Sequence, residues 1–410
     1  MFEFQSDYQF WWNLGLLLAF LFAVGVGWYI GFKNGKRPDK QTPLSVVESY
    51  YKGLNYLVGG QPEDAVDTFI DALEVNTETF EIHLALGNFL RGRGEVDRAI
   101  RIHQNLLARS GMGKSLRDTA HLELARDYLS AGVYDRSERL LEELVIESKE
   151  LKDLSLKFLL DIYEAEQDWS KALDTADKLR SRSMFFKDRR PEQRYLLSKM
   201  AHYHCELVES CEHSLSSEHI QSHLEQALEL DDRCVRASLL MAEQALVKTD
   251  PEQAIKYVRR VFQQDKEFIP EALGLLSRAY MYLNDSSAHK KDLKHCLSLT
   301  PSVSVVLALC ELMEKDPGSQ ALAGEELKNF LQRFPNQKGL LKLIDYELSA
   351  THNANKENLF LLQEVLTKIV SERPVYQCQH CGFSGKKLHW KCPSCKQWGM
   401  VKMIQGIKGD

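Results

Sequence analysis

From residue 45 to about 370 the chain repeats itself with a period near 34 residues: Gly53 returns as Gly87 and Ala65 as Ala99. A period of that length rules out an ordinary closed core. No single unit can bury its own apolar face, so each must stack on its neighbours and the stack must run on.

The first unit, "YYKGLNYLVGGQPEDAVDTFIDALEVN", shows what the units are. Gly53, Tyr56, Ala65, Phe69 and Ala72 fall where a tetratricopeptide repeat puts its packing residues. Small residues let the two antiparallel helices of a unit touch, and larger ones fill the gap to the next. The turn "GGQPEDA" offers glycine for a helix end and proline near the next helix start. Later copies carry weaker marks: Ala125 and Tyr128, then Tyr163, Trp169 and Ala172, then "RYLLSKMAHYHCELVES". Ala242 and Ala254, Tyr280 and Pro301, and Ala323 and Pro335 mark three more, and a last pair runs from Lys338 to Val370. The expectation is an all-α solenoid over 45–370 of about nine helix pairs, with a concave groove lined by the first helix of each pair. Spacing puts Asn88, Arg91 and Arg126 on that groove, where they would meet a peptide or protein partner.

Ahead of the repeats, the 25 residues Tyr8–Phe32 contain no charge, enough for a helix that crosses a bilayer. Trp11, Trp12, Trp28 and Tyr29 suit the two interfaces. Glu3 and Asp7 precede the apolar run and Lys33, Lys36, Arg37 and Lys40 follow it, which argues for an uncleaved anchor. The same charges put the N-terminus outside and the main domain in the cytoplasm. Gly27 and Gly31 form a Gly-x-x-x-Gly step on which another membrane helix could pack, including one from a second copy of the chain. Residues 33–44 read as a linker.

After the repeats, residues 372–410 hold two Cys-x-x-Cys pairs, Cys378/Cys381 and Cys392/Cys395, with ten residues between them. Two such knuckles present four thiolates to one metal ion. A segment this short cannot bury much of a core, so the metal would supply much of its folding free energy. His389 is not needed as a ligand. Zinc and iron both accept four thiolates, so spacing alone leaves both open. Zinc in a structural role is favoured, because no flavin, haem or second-cluster motif offers an electron partner. The ribbon is expected to pack on the last helix pairs. It carries seven basic residues against Glu372 and Asp410, net +5 in a chain of net charge −6. That charge suits an acidic partner, anionic head groups or simply a solvated surface.

The rest of the chain offers little chemistry. Nine cysteines is an odd number, and Cys205, Cys211, Cys234, Cys296 and Cys310 follow no regular spacing, which fits a reducing compartment. His202 and His204 in "HYHC" point to opposite sides of a helix and cannot close on one ion. No phosphate-binding loop, nucleophile elbow, metalloprotease motif or dinucleotide fingerprint is present, so an enzyme is the less favoured class. The acidic balance argues against nucleic-acid binding.

The combination of anchor, repeats and ribbon resembles the lipopolysaccharide assembly protein B family of Gram-negative bacteria. The likeness rests on "LGNFLRGRGEVDRAIRIHQNLL" (Leu86–Leu107), "ARDYLSAGVYDRSE" (Ala125–Glu138) and "YQCQHCGFSGKKLHWKCPSCKQW" (Tyr376–Trp398). The resemblance implies a rubredoxin-like ribbon with Cys378, Cys381, Cys392 and Cys395 as ligands. Lys396 departs from the rubredoxin pattern, which usually has glycine there. The resemblance further implies a single-pass inner-membrane regulator facing the cytoplasm. Its expected partners are the membrane-bound ATP-dependent protease FtsH, the deacetylase of the lipid A pathway and other lipopolysaccharide assembly proteins. A scaffold for assembly enzymes is the alternative role, and an iron-ribbon electron carrier the more distant one.

Overall fold

The structure, a computed structural model, describes residues 79–108, 112–183, 191–210, 216–316, 320–350 and 356–410, with a few isolated residues before them. Nearly all of the anchor expected over 8–32, with its Gly27 and Gly31, the linker and nearly all of the first repeat lie outside the described residues. Val24–Val26 and Tyr29 are helical, and no described helix is long and apolar enough to cross a membrane.

Among the described residues the chain forms sixteen α-helices, one 3-10 helix and a small three-stranded sheet. The helices come as eight pairs. The first four pairs are α1 (Phe80–Gly92) with α2 (Val96–Leu107), α3 (Lys114–Ser130) with α4 (Tyr134–Glu147), α5 (Lys152–Glu166) with α6 (Trp169–Ser183), and α7 (Pro191–Ser210) with α8 (Ser217–Leu230). Then come α9 (Val235–Val247) with α10 (Pro251–Gln264), the 3-10 turn Lys266–Phe268, and α11 (Ile269–Leu283) with α12 (Ser286–Leu299). The last pairs are α13 (Val303–Glu314) with α14 (Gln320–Arg333), and α15 (Gln337–Ala350) with α16 (Lys356–Glu372).

Five of the turns inside these pairs close in the same way. Each contains one left-handed residue: Gly94 (φ 84°), Gly132 (73°), Gln167 (61°), Thr249 (58°) or Asn284 (53°). Each is followed by a backbone N–H that reaches back five residues: Glu95 to Leu90, Val133 to Tyr128, Asp168 to Tyr163, Asp250 to Ala245 and Asp285 to Tyr280. This is the Schellman arrangement, which satisfies a carbonyl left over at the helix end. In three of the five turns, at Asp168, Asp250 and Asp285, the next helix is then capped by an aspartate side chain. Asp250 Oδ1 accepts from Gln253 N at 3.0 Å with Pro251 at the first helical position, and Asp285 Oδ1 accepts from Ala288 N at 2.9 Å.

The chain divides into two compact units, Met1–Leu144 and Val145–Asp410. In the first, Gly87 allows helix contact: a Cβ there would stand 2.4 Å from His103 Nε2. Fully buried His103 sets its Nδ1 2.5 Å from Asp127 Oδ2, which joins α2 to α3. In the second unit a continuous apolar cluster runs from Val235 in α9 to Leu312 in α13, and Leu388 and Trp390 of the C-terminal ribbon pack against it.

Candidate metal centre and its seat on the repeats

The ribbon is an antiparallel sheet in the order β2–β1–β3, formed by Ser384–Gly385 (β2), Tyr376–Cys378 (β1) and Val401–Met403 (β3). Its two knuckles are near copies of each other. Gly382 N donates to Cys378 O and Lys396 N donates to Cys392 O, both at 2.9 Å. Cys378 N donates to Phe383 O at 2.7 Å and Cys392 N to Gln397 O at 2.9 Å. The residue after each second cysteine is left-handed, Gly382 at φ 78° and Lys396 at φ 61°. Lys396 thus holds the backbone shape that glycine usually supplies, at a cost of about 1 kcal/mol.

The four ligand atoms of Cys378, Cys381, Cys392 and Cys395 lie within 4.8 Å of one another. Cys378 Sγ is 3.7 Å from Cys395 Sγ, and Cys381 Sγ is 3.7 Å from Cys392 Sγ. Four sulfurs about 2.3 Å from a tetrahedral ion stand about 3.8 Å apart, so the set fits one metal ion. Electrostatics agree. The backbone N–H of Phe383 pulls the Cys381 thiol down to about 6. Cys395 receives the matching N–H of Gln397, yet desolvation and the neighbouring sulfurs push its thiol up to about 12. Four thiolates this close need a cation. His389 stays outside the ligand set, with its ring edge-on to Phe383 at 6.1 Å.

The ribbon does not seat on the last helix pairs, as the chain order suggests. Its sheet and second knuckle lie on α5, α6, α7, α9, the 3-10 turn and α11. Trp398, 3% exposed, stacks on His202 at 5.0 Å and meets Trp169 and Tyr203 edge-on, each at 5.9 Å. Trp390 stacks on Phe268 at 5.4 Å, with the Arg236 guanidinium 5.8 Å from its ring centre. Lys391 Nζ lies 2.7 Å from Glu164 Oε2, and Lys402 Nζ lies 2.7 Å from Asp265 Oδ2 and 2.5 Å from Glu267 Oε2. Tyr376 Oη donates to Glu271 at 2.6 Å. Among the described residues, the two ends of the ribbon segment reach later helices: Arg373 donates to Gln337, Ser304 N donates to Asp410 Oδ1 at 2.8 Å, and Asn336 Nδ2 to Gly406 O at 3.0 Å. Two of the ribbon's lysines are therefore committed to carboxylates of the repeats. In part, the acidic partner expected from the charge is the chain itself.

The seat is held by buried polar groups. Burial pushes the Glu164 carboxyl up, but Lys199 and hydrogen bonds from Lys199, Lys391 and Tyr203 outweigh it and leave it below the usual range. Burial, with Arg236 beside it, holds His202 neutral with its pKa lowered to about 3. Arg236 is held by Glu206 at 2.8 Å and by Glu209 at 2.9 Å. Sequence reasoning missed Glu164, Arg236 and Phe268, and Trp169 and His202 were legible only as packing. Their partners lie many residues away and share no motif.

The three expected groove residues cluster together in the first unit. Arg91 donates to Glu123 and to buried Asp127, both at 2.7 Å, and to Asn88 Oδ1 at 2.6 Å. It clamps α1 to α3, so its guanidinium is not available to a partner. Arg126 donates to Glu123 at 2.8 Å on the same network and is the more open of the two arginines, its side chain 38% exposed against 11% for Arg91.

Paired helices with Schellman turns and a four-cysteine knuckle sheet define a tetratricopeptide-repeat protein with a rubredoxin-type metal-binding ribbon. Family models agree: residues 376–402 match the rubredoxin metal binding domain and residues 50–114 the tetratricopeptide repeat. Lipopolysaccharide assembly protein B of Escherichia coli strain K12 is 34% identical over 395 residues, covering 96% of this chain and 99% of its own. The protein of that name from Haemophilus influenzae is 32% identical, covering 95% and 98%. The chain belongs to the lipopolysaccharide assembly protein B family. Among solved structures, part of a repeat protein from Cytophaga hutchinsonii overlaps 63% of this chain and 98% of its own at 13% identity and TM-score 0.37, a likeness too slight to carry an argument.

Proposed function

We propose that this chain is a non-enzymatic adaptor of lipopolysaccharide synthesis, anchored in the inner membrane by residues 8–32 and facing the cytoplasm. In this reading it brings the lipid A pathway deacetylase to the membrane protease FtsH. End-to-end similarity to proteins named for lipopolysaccharide assembly carries the reading. The physical logic is tethering. A linker over 33–44 spans at most about 40 Å, so the repeats stay near the bilayer and a held client meets a membrane protease at high effective concentration. No chemistry by this chain is required.

Cys378, Cys381, Cys392 and Cys395 would hold one zinc ion, which supplies a closed tetrahedral cross-link and no open coordination position. The chain's own residues do the rest: Lys391, Trp398 and Lys402 seat the cross-linked ribbon on the repeats. A test is the half-life of the deacetylase in cells depleted of this protein. A clearly longer half-life supports the adaptor, and an unchanged one favours the second reading, a scaffold for lipopolysaccharide assembly enzymes. A red, reducible chromophore in the purified protein would instead mean iron.

A further inference from the structure

Beside the ribbon's seat lies a cavity of about 240 Å³ lined by the repeats and the ribbon together. Leu239 and Leu240 of α9, Leu275 of α11, and Leu388 and Trp390 of the ribbon supply its apolar wall. It is smaller than the roughly 300–1,000 Å³ that small-molecule sites usually offer, and suits one large side chain rather than a cofactor. Its rim is acidic. Arg236 is shared by Glu206 and Glu209, at 2.8 and 2.9 Å, so that cluster keeps one negative charge. Glu243 meets its cation, Arg278, only at 3.9 Å, with both side chains 49% exposed. Glu271 accepts the neutral hydroxyl of Tyr376, and among the described residues no lysine or arginine forms an ion pair with it.

The two helix faces continue the pattern beyond the cavity. Val247 lies seven residues after Leu240, and Tyr282 seven after Leu275, two turns further along the same faces. Both are large and apolar, yet 67% and 61% exposed. Glu243 lies between Leu240 and Val247 on the α9 face. The result is a track that runs apolar, acidic, apolar away from the ribbon.

We propose that the cavity and this track bind an extended protein segment in which two apolar side chains, three residues apart, flank a lysine or arginine. One apolar side chain fills the cavity, the other covers Val247 and Tyr282, and the cation meets Glu243 and Glu271. Seven helical residues advance about 10 Å, which three residues of extended chain span at about 3.3–3.6 Å each. The excess of carboxylates selects a basic segment over an acidic one. Because Leu388 and Trp390 form one wall, the site is whole only with the ribbon seated. Such a segment would be the handle by which a client is held. To that extent the proposal rests on the adaptor reading, but binding is measured without protease or deacetylase, so either can fail alone.

The probe is a fluorescein-labelled, end-blocked peptide, Gly-Leu-Lys-Arg-Leu-Gly, titrated with the zinc-loaded full chain in non-ionic detergent and followed by anisotropy. Saturable binding is expected. Replacing the peptide's two cations by glutamate, or its two leucines by glycine, should weaken it about tenfold or more. Glu243→Lys, a change at an exposed side chain, should weaken it about tenfold, and Leu388→Ala about fivefold. Glu225→Lys, at an exposed carboxylate of α8 outside the cavity, should leave the affinity unchanged. Far-ultraviolet circular dichroism checks that each variant folds. No saturable binding, equal binding of the acidic peptide, full affinity in Glu243→Lys or Leu388→Ala, or an equal loss in Glu225→Lys overturns the proposal.

Discussion

Lys391 follows Glu164 by 227 residues, yet its Nζ lies 2.7 Å from a carboxylate oxygen of Glu164, whose side chain is only 6% exposed. Glu164 also receives Lys199 at 2.5 Å and the hydroxyl of Tyr203. One buried carboxylate thus joins α5, α7 and the ribbon. Such a group is a poor source of net stability but a demanding one, because a partner removed leaves charge stranded out of water.

Lys391→Ala should therefore loosen the ribbon by about 1–3 kcal/mol, since Glu164 keeps Lys199 and Tyr203. Glu164→Ala strands two lysines and should cost about 3–5 kcal/mol. Hydrogen exchange at residues 388–398 measures both, and equal effects of the two substitutions would count against this arrangement.

Trp398→Ala removes the aromatic anchor between Trp169, His202 and Tyr203 and should cost about 3–5 kcal/mol. The knuckles do not use its side chain, so metal binding should survive. Cobalt substituted into the variant should give the wild-type thiolate spectrum while the ribbon's amides exchange faster.

Acid should release the seat through His202. Burial keeps it neutral with a pKa lowered to about 3, whereas the unfolded chain titrates near 6.5. The stability tied to the neutral ring is complete above pH 6.5 and is lost as pH falls toward 3, at up to about 1.4 kcal/mol per pH unit. Between pH 6.5 and 5 the wild type should lose more stability than His202→Phe in urea titrations. Parallel losses would mean that the ring is protonated in place.

Gly87→Ala tests the first unit by itself. Its new methyl would press on His103 Nε2, which is fixed through Asp127, so overpacking should cost about 1–3 kcal/mol. Thermal melting should show the loss, with the cobalt spectrum of the ribbon unchanged.

The early repeats were legible from small residues recurring at the period, Gly87 and Ala99 among them, and the structure adds that their turns carry glycine at the left-handed position, Gly94 and Gly132. Later turns keep the same backbone with Gln167, Thr249 and Asn284, so the shape persists where its sequence mark has faded. The knuckles were legible from spacing alone, since two sulfurs per tight turn leave little choice of geometry. The seat was not. Lys391 and Lys402 read as surface charge because nothing local shows that Glu164, Asp265 and Glu267 await them. Arg91 is the opposite case: spacing suggested a groove position, and a carboxylate pair on α3 holds its guanidinium.

The central claim is that a metal-held ribbon, seated on the middle repeats, is needed for regulation. The most direct measurement is the half-life of the lipid A pathway deacetylase in depleted cells supplied with either the wild type or Cys378→Ser. The account predicts that Cys378→Ser stays helical, loses the metal and leaves the deacetylase as long-lived as in depleted cells. Wild-type turnover with the metal gone would contradict it.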